Sequence, residues 1–272
     1  MQQTMIRRIP ALALAAAVAA MAAPPGRAQT ACSITYVANA GVLFESGTAR
    51  FLIDAPIREG IPPYATPSAE VGRQLESGAA PFDRITAILI THWHEDHFSA
   101  EAVAAHLVAN PATVLITSDE IVARVRKAAP ALPAARFRPS TPQPGASRRV
   151  VAGGVTVRVL RIRHNPVRRV PEQHVGFLIE GCRTVLHPGD ADPQADNFTS
   201  LDGLPAVEVG LLPFWYVLGE KSRAFVESSI RPGRVLAMHI PPPDAAGVSA
   251  KLVGAPNVVT LDTPGQTIDL PR

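Results

Sequence analysis

The segment His92-Trp93-His94-Glu95-Asp96-His97 sets three imidazoles and the Asp96 carboxylate within six consecutive positions. Neutral imidazole and carboxylate are borderline-to-hard donors that suit zinc, iron or manganese. Alternate side chains of an extended backbone share a face, so His92 and His94 can grip one ion together. Asp96 and His97 fall where the chain turns towards a helix with Ser99 as N-cap, and can face a second ion. A solvated polar loop accounts poorly for three histidines in six positions. The segment reads as a metal site.

The elements that must position it are legible around it. Ile85 to Ile90 is an apolar run that reads as a buried strand, so the cluster leaves a sheet at one rim. Of the 8 histidines, His106 lies in the alanine-rich helical stretch from Ala100 to Val108 and reads as a surface or packing residue. His164 closes the alternating run Val155 to Arg163, and His174 opens the strand-like Val175 to Ile179. His187 belongs to Leu186-His187-Pro188-Gly189-Asp190, and His239 follows Val235 to Met238. Ligands delivered from several strand ends are how one rim of a sheet assembles a site.

Two halves of similar flavour surround these positions. Short β runs at 34–37, 42–44 and 51–53 precede a helix over 68–76, the 85–90 strand and a helix from Ser99. A strand at 113–117 and a helix from Ser118 follow, and the proline-rich stretch 130–145 reads as a connector. The second half predicts strands at 155–162, 175–179, 184–186, 207–212 and 235–238, with a helix over 221–230. Hairpin strands followed by β–α alternation in each half predict sheet layers covered by helices.

The first 28 residues read as a secretory signal: Arg7 and Arg8, an apolar core from Ile9 to Ala23, and small residues before a cut after Ala28. That core is short of the ~20 residues a membrane span needs, so no stable membrane anchor is expected. Cleavage leaves 29–272 as one domain, periplasmic or secreted. The signal holds Arg7, Arg8 and Arg27 and no acid, so its loss takes the formal +3 to zero. A neutral mature chain carries no electrostatic footprint for nucleic acid. Export also permits one disulfide between Cys32 and Cys182, whose proximity the sequence does not establish.

His92-x-His94-x-Asp96-His97 after an apolar strand, a later histidine, the Gly189-Asp190 pair and a late strand-end His239 together resemble the metallo-β-lactamase superfamily. The resemblance spans nearly all of the mature chain. It implies an α+β fold, an αββα sandwich of two mixed sheets with outer helices, and a dinuclear site along one edge. By position, His92, His94 and one histidine of the second half would hold the first metal. Asp96, His97 and His239 would hold the second, with Asp190 bridging. His164 fits the third ligand as the end of a strand entering the relevant loop. His174, at a position where some relatives carry Asn, is the alternative. His187 would orient ligands rather than bind.

Two divalent cations, zinc first with iron or manganese as alternatives, would make water reactive near neutral pH. Asp96 and Asp190 would offset the cationic charge and handle the nucleophile's proton. The reaction expected is hydrolysis of an ester-type or phosphodiester-type bond in a small molecule. True β-lactamases of the superfamily usually carry Cys or Ser where Asp190 stands, so β-lactam or lactone hydrolysis is the alternative, and non-catalytic metal-dependent binding a second. Arg158, Arg161, Arg163, Arg168 and Arg169 flank His164 and would favour an anionic substrate, Arg168 and Arg169 most of all. Arg158 and Arg161 read equally well as solvent-side strand positions. In Leu211 to Tyr216, Phe214, Trp215 or Tyr216 would line an apolar pocket beside the metals, whereas Trp93 reads rather as a plug supporting its loop.

Overall fold

The computed structural model describes residues 32–271 except 168, 169 and 256. The signal segment therefore lies outside the described residues, as do Arg168 and Arg169. The first half comprises β1 (Cys32–Ala38), β2 (Gly41–Ser46), β3 (Ala49–Ile53), α1 (Ala69–Ser77), β4 (Ala87–Ile90), α2 (Ala100–Ala109), β5 (Val114–Thr117), α3 (Asp119–Ala128) and β6 (Phe137–Pro139). The second comprises β7 (Ser147–Ala152), β8 (Val155–Arg161), β9 (Val175–Glu180), β10 (Thr184–His187), β11 (Val209–Pro213), α4 (Trp215–Leu218), α5 (Glu220–Phe225), β12 (Arg234–Met238), α6 (Ala245–Leu252), β13 (Val258–Thr260) and β14 (Thr267–Asp269). Ser68, Ser99 and Ser118 cap α1, α2 and α3, each accepting a backbone N–H three residues on.

There are two seven-stranded sheets, one of β1 to β6 completed by the returning β14 and one of β7 to β13, in the orders β14-β1-β2-β3-β4-β5-β6 and β13-β12-β11-β10-β9-β8-β7. Each begins as an antiparallel meander and becomes parallel, from β3 to β6 in one sheet and from β10 to β13 in the other. Parallel neighbours require crossovers, and the helices that supply them cover the outer faces. Strand alternation divides the apolar residues accordingly. Ala87 and Leu89 of β4 face the second sheet, packing with Phe177, Leu211 and Met238. Ile88 and Ile90 of the same strand face the helical layer with Leu75, Val103 and Val125. Likewise Leu236 and Met238 of β12 point between the sheets, and Val235 and Ala237 point towards α4 to α6. The result is the four-layer αββα sandwich.

Elements absent from the sequence reading are short or lie at sheet edges. The 130–145 stretch forms a 3-10 turn at Ala134–Arg136 and the three-residue β6, which pairs with β5. The β7 segment Ser-Arg-Arg-Val-Val-Ala is an edge strand with exposed Arg148 and Arg149, charges typical of an edge that must not recruit another strand. Helix 221–230 divides into α5 and one π turn at Val226–Ile230. Among the described residues, no helix is long and apolar enough to cross a membrane.

Strands β1, β3, β4, β8, β10 and β12 all end at one rim, where Asn39, Asp54, His92, His164, Asp190 and His239 follow them. The opposite rim is stapled. Cys32 at the start of β1 and Cys182 in the turn between β9 and β10 form a disulfide across the two sheets, 150 positions apart in the chain. Closing so long a loop restricts the unfolded chain, so Cys32→Ser with Cys182→Ser is expected to cost about 2–5 kcal/mol of stability, read as a lower denaturant midpoint. Bound metal per folded chain is expected to stay constant in that variant, because the staple sits at the far rim.

Candidate metal centre

The rim gathers buried donors. His92, His94, His164 and Asp190 each offer an atom within 4.8 Å of one another, and Asp96, His97 and His239 form a second such group. Asp190 lies between them. Its Oδ1 is 3.2 Å from His97 Nε2 and 3.3 Å from His239 Nε2, and its Oδ2 is 3.8 Å from His164 Nε2. Asp96 Oδ2 is 3.3 Å from His239 Nε2 and 3.8 Å from His97 Nε2. The seven residues named from the sequence as ligands are thus brought together.

A network reaching back into the sheets fixes which atoms face the centre. Buried Asp54, at the end of β3, accepts the Thr91 N–H at 2.8 Å and the Thr91 hydroxyl at 2.6 Å. With its own proton committed, the Thr91 oxygen accepts from His92 Nδ1 at 2.9 Å, which leaves His92 Nε2 as a bare lone pair 2.9 Å from His94 Nδ1. Asp54 Oδ2 also takes the Nδ1–H of His97 at 2.8 Å, so His97 Nε2 is turned inward, 3.1 Å from His239 Nε2. One carboxylate thereby sets the tautomer in both halves of the site. Asn39, in the β1–β2 turn, donates through Nδ2 to the Asp96 carbonyl at 3.0 Å and to Asp96 Oδ2 at 3.2 Å. Its own carbonyl accepts the His239 N–H at 3.0 Å.

Backbone conformation is held away from its preferences here. Asn39, Asp54 and His239 adopt φ of 51°, 46° and 61°, the left-handed region that L-residues rarely occupy. Such strain persists only where the surroundings over-determine it, and it clusters at functional sites. Gly189 (φ 58°) is a different case: a Cβ there would stand 2.7 Å from Thr91 Oγ1 and 2.9 Å from His174 Nε2. Only glycine lets the turn carrying Asp190 close onto the Thr91 strand end.

Several donors around this centre lack conventional partners. Asp190 Oδ1, His164 Nε2, His174 Nε2 and His239 Nδ1 are buried without a hydrogen bond, although Asp190 Oδ1 has two imidazole nitrogens near 3.3 Å. Close but misaligned nitrogen and oxygen lone pairs are what a shared cation satisfies, and the donor set is all imidazole and carboxylate. Charge follows the same pattern. Burial pulls His97 down, but Asp190 and Asp96 outweigh it and raise its pKa well above the ordinary imidazole value. Burial, then His97 and His174, hold His92 well below that value, and burial takes His164 to about 4 despite Asp190. Burial would raise Asp96, yet His97 and His239 bring it down to about 2. The second group, where cationic charge is most strongly stabilised, and the neutral imidazoles of the first both fit divalent metal.

The remaining histidines separate. His174 is buried, with Nδ1 3.0 Å from the Ile162 carbonyl and its ring 5.0 Å from that of His92, but it falls outside the group of four that contains His164. His187 uses both nitrogens away from the centre: Nε2 lies 2.9 Å from the Ala40 carbonyl, and Nδ1 accepts the Gly189 N–H at 3.2 Å. It pins the Asp190 turn to the β1–β2 turn. His106 is a packing residue, buried with Nδ1 2.5 Å from the Leu75 carbonyl.

One substrate expectation changes, and another is tested only in part. Tyr216 does not line a pocket; it is fully buried among the outer-layer residues, its hydroxyl donating to the Ala191 carbonyl at 2.7 Å. The helical turn of α4 sends it inward and leaves Trp215 half-buried, its ring 5.1 Å from that of His239. Of the arginines flanking His164, Arg158 pairs with Glu180 at 2.7 Å and Arg163 with Asp196 at 3.0 Å, and Arg161 donates to the Glu172 carbonyl; Arg168 and Arg169 lie outside the described residues. Trp93 packs against the helical layer with the Arg124 guanidinium 5.3 Å over its ring, as a plug would.

Sequence reasoning missed Asp54, Asn39 and Tyr64, whose ring stands 4.3 Å from that of His239. An acid directly after the apolar Phe51-Leu52-Ile53 run was the signal for Asp54. Asn39 before the Gly41 turn and Tyr64 beyond Pro62-Pro63 gave none that single them out.

Comparison with known proteins agrees with this architecture. Residues 49–213 match the family model described as the Beta-lactamase superfamily domain. Igni18, a metallo hydrolase from the hyperthermophilic archaeon Ignicoccus hospitalis, superposes with a TM-score of 0.62 at 19% identity over 89% of this chain and 100% of its own. An isothiocyanate hydrolase from Delia radicum gut bacteria gives 0.57 at 16% identity over 88% of this chain and 99% of its own. CmlA, a diiron β-hydroxylase from Streptomyces venezuelae, gives 0.60 at 14% identity over 88% of this chain and 54% of its own. No curated protein sequence matches. With a family model covering more than half of its length and the αββα fold in place, the chain belongs to the metallo-β-lactamase superfamily.

Proposed function

We propose that this protein is an exported, dinuclear metal-dependent hydrolase acting on an ester-type or phosphodiester-type bond of a small molecule. The observation that carries the reading is the placement of Asp190, one oxygen towards His97 and His239 and the other towards His164. His92, His94 and His164 would hold one ion, and Asp96, His97 and His239 the other. Zinc fits this nitrogen and oxygen set first; iron and manganese share its donors, and a diiron enzyme occupies a similar fold. Two divalent ions bound there would supply Lewis acidity to water and to the substrate's carbonyl or phosphoryl oxygen.

The chain's own residues do the rest. Asp96 is anchored by Asn39, and Asp190 stands between the two groups, so the pair would offset cationic charge and hold the proton that water gives up. In the net reaction the water oxygen bonds to the acyl carbon or phosphorus, the bond to the leaving oxygen breaks, and the proton passes to that oxygen. Asp54 keeps His92 and His97 aimed inward through both halves of the cycle. Arg158 and Arg163 are paired with acids, so an anionic substrate would be read by Arg168 and Arg169. The Cys32–Cys182 disulfide supports export to an oxidising compartment.

Chelation of the purified protein is expected to abolish hydrolysis across a panel of esters, phosphodiesters, lactones and a β-lactam, and metal return to restore it. Asp190→Ala should lose both bound metal and turnover; full turnover with Asp190→Ala would refute the reading. His164→Ala should lose about one ion per chain while His174→Ala keeps both, and the reverse result would exchange their roles. Asp54→Ala should weaken metal affinity about 10–100-fold in chelator competition, and wild-type affinity in that variant would show that its contacts do not govern the ligands.

A further inference from the structure

The two flanks of the centre differ in what they offer a substrate. Beyond His164 and His174 opens a cavity of about 470 Å³ whose walls mix Pro166 and Val170 with the charged Arg161, Glu172 and Asp192. The flank at His239 is aromatic. The Tyr64 ring stands edge-on to His239 at 4.3 Å and the Trp215 ring at 5.1 Å, with Phe214 edge-on to Trp215 at 5.5 Å. Tyr64 and Trp215 are both half-buried, so each keeps part of its ring exposed. The Trp215 indole N–H is buried and has no hydrogen-bond partner. Buried indole donors are nearly always satisfied, and one left bare beside a reactive centre marks a position where a ligand supplies the acceptor. The main chain holds this arrangement, because the Phe214 N–H donates to the Met238 carbonyl at 2.8 Å and so ties the aromatic turn to the residue before His239.

We propose that Tyr64 and Trp215 form a specificity subsite for a flat aromatic group bearing a hydrogen-bond acceptor. The cleaved ester would be oriented with that ring against the His239 flank and its other portion towards the His164 cavity. This rests on the hydrolase reading. Planar apolar rings gain from edge and face contacts that a short alkyl group cannot make, and the indole N–H selects among them by their acceptor. Tyr64 comes from the β3–α1 connection of one sheet and Trp215 from α4 of the other, so substrate binding would bridge the two halves of the sandwich.

The test uses the metal-loaded mature chain with 2-naphthyl acetate and ethyl acetate, followed by pH-stat. The wild-type protein is expected to favour the naphthyl ester in kcat/KM by more than tenfold beyond the difference in their uncatalysed hydrolysis. Trp215→Ala and Tyr64→Ala should each raise KM for the naphthyl ester about tenfold with kcat within about threefold, collapsing the selectivity ratio. Trp215→Phe, which keeps a ring and loses the N–H, should retain that selectivity but lose discrimination for 6-methoxy-2-naphthyl acetate over its unsubstituted parent. Metal content measured for each variant confirms a folded centre. Equal selectivity in wild type and both alanine variants would overturn the proposal, as would a fall in kcat alone. If neither ester is turned over, fluorescence titration with 6-methoxy-2-naphthoate decides separately. Binding that Trp215→Ala abolishes keeps the aromatic subsite while the hydrolase reading fails, and absent binding removes the subsite as well.

Discussion

Imidazole nitrogens and carboxylate oxygens that converge in a buried space are the constraint around which this rim is organised. His97 and His239 turn Nε2 towards Asp190 and Asp96, whose oxygens lie 3.2–3.8 Å away, and His92 Nε2 lies 2.9 Å from His94 Nδ1. Such groups repel or compete for hydrogen bonds unless something cationic lies among them. The protein enforces the arrangement from behind. Asp54 absorbs the outward N–H of His97 directly and that of His92 through Thr91, leaving the inner nitrogens no other orientation. Burial opposes both charges, yet Asp190 and Asp96 raise His97, and His97 and His239 lower Asp96.

The sandwich makes that enforcement possible. Two sheets packed through residues such as Phe44, Phe177 and Leu211 hold six strand ends at one rim with little freedom to relax. The disulfide and the return of β14 to pair with β1 tie the halves together away from the site. Side chains on strand ends inherit the rigidity of the sheets, while Tyr64 lies in the β3–α1 connection and Trp215 at the start of α4.

Much of this was legible in the sequence because it is local. Apolar runs gave the central strands, and serine caps gave the helix starts. The packed motif from His92 to His97, with Asp190 and His239 at later strand ends, gave the ligand candidates. What escaped depends on tertiary convergence. Asp54 is one acid among many until β3 and β4 pair and bring it beside Thr91 and His97. The arginines around His164 looked like a basic patch because Glu180 and Asp196, which neutralise Arg158 and Arg163, lie 22 and 33 positions away. Tyr216 looked like a pocket residue beside Trp215, but the helical turn buries Tyr216 fully in the outer layer and leaves Trp215 half-buried at its margin. Edge strands β7, β13 and β14 carry too little apolar alternation to declare themselves.

Anomalous diffraction from crystals of the metal-loaded protein would address the central claim most directly. The account predicts two peaks flanking the Asp190 carboxylate, one among His92, His94 and His164 and the other among Asp96, His97 and His239. A single peak bound without Asp190, or metal located away from these residues, would contradict it.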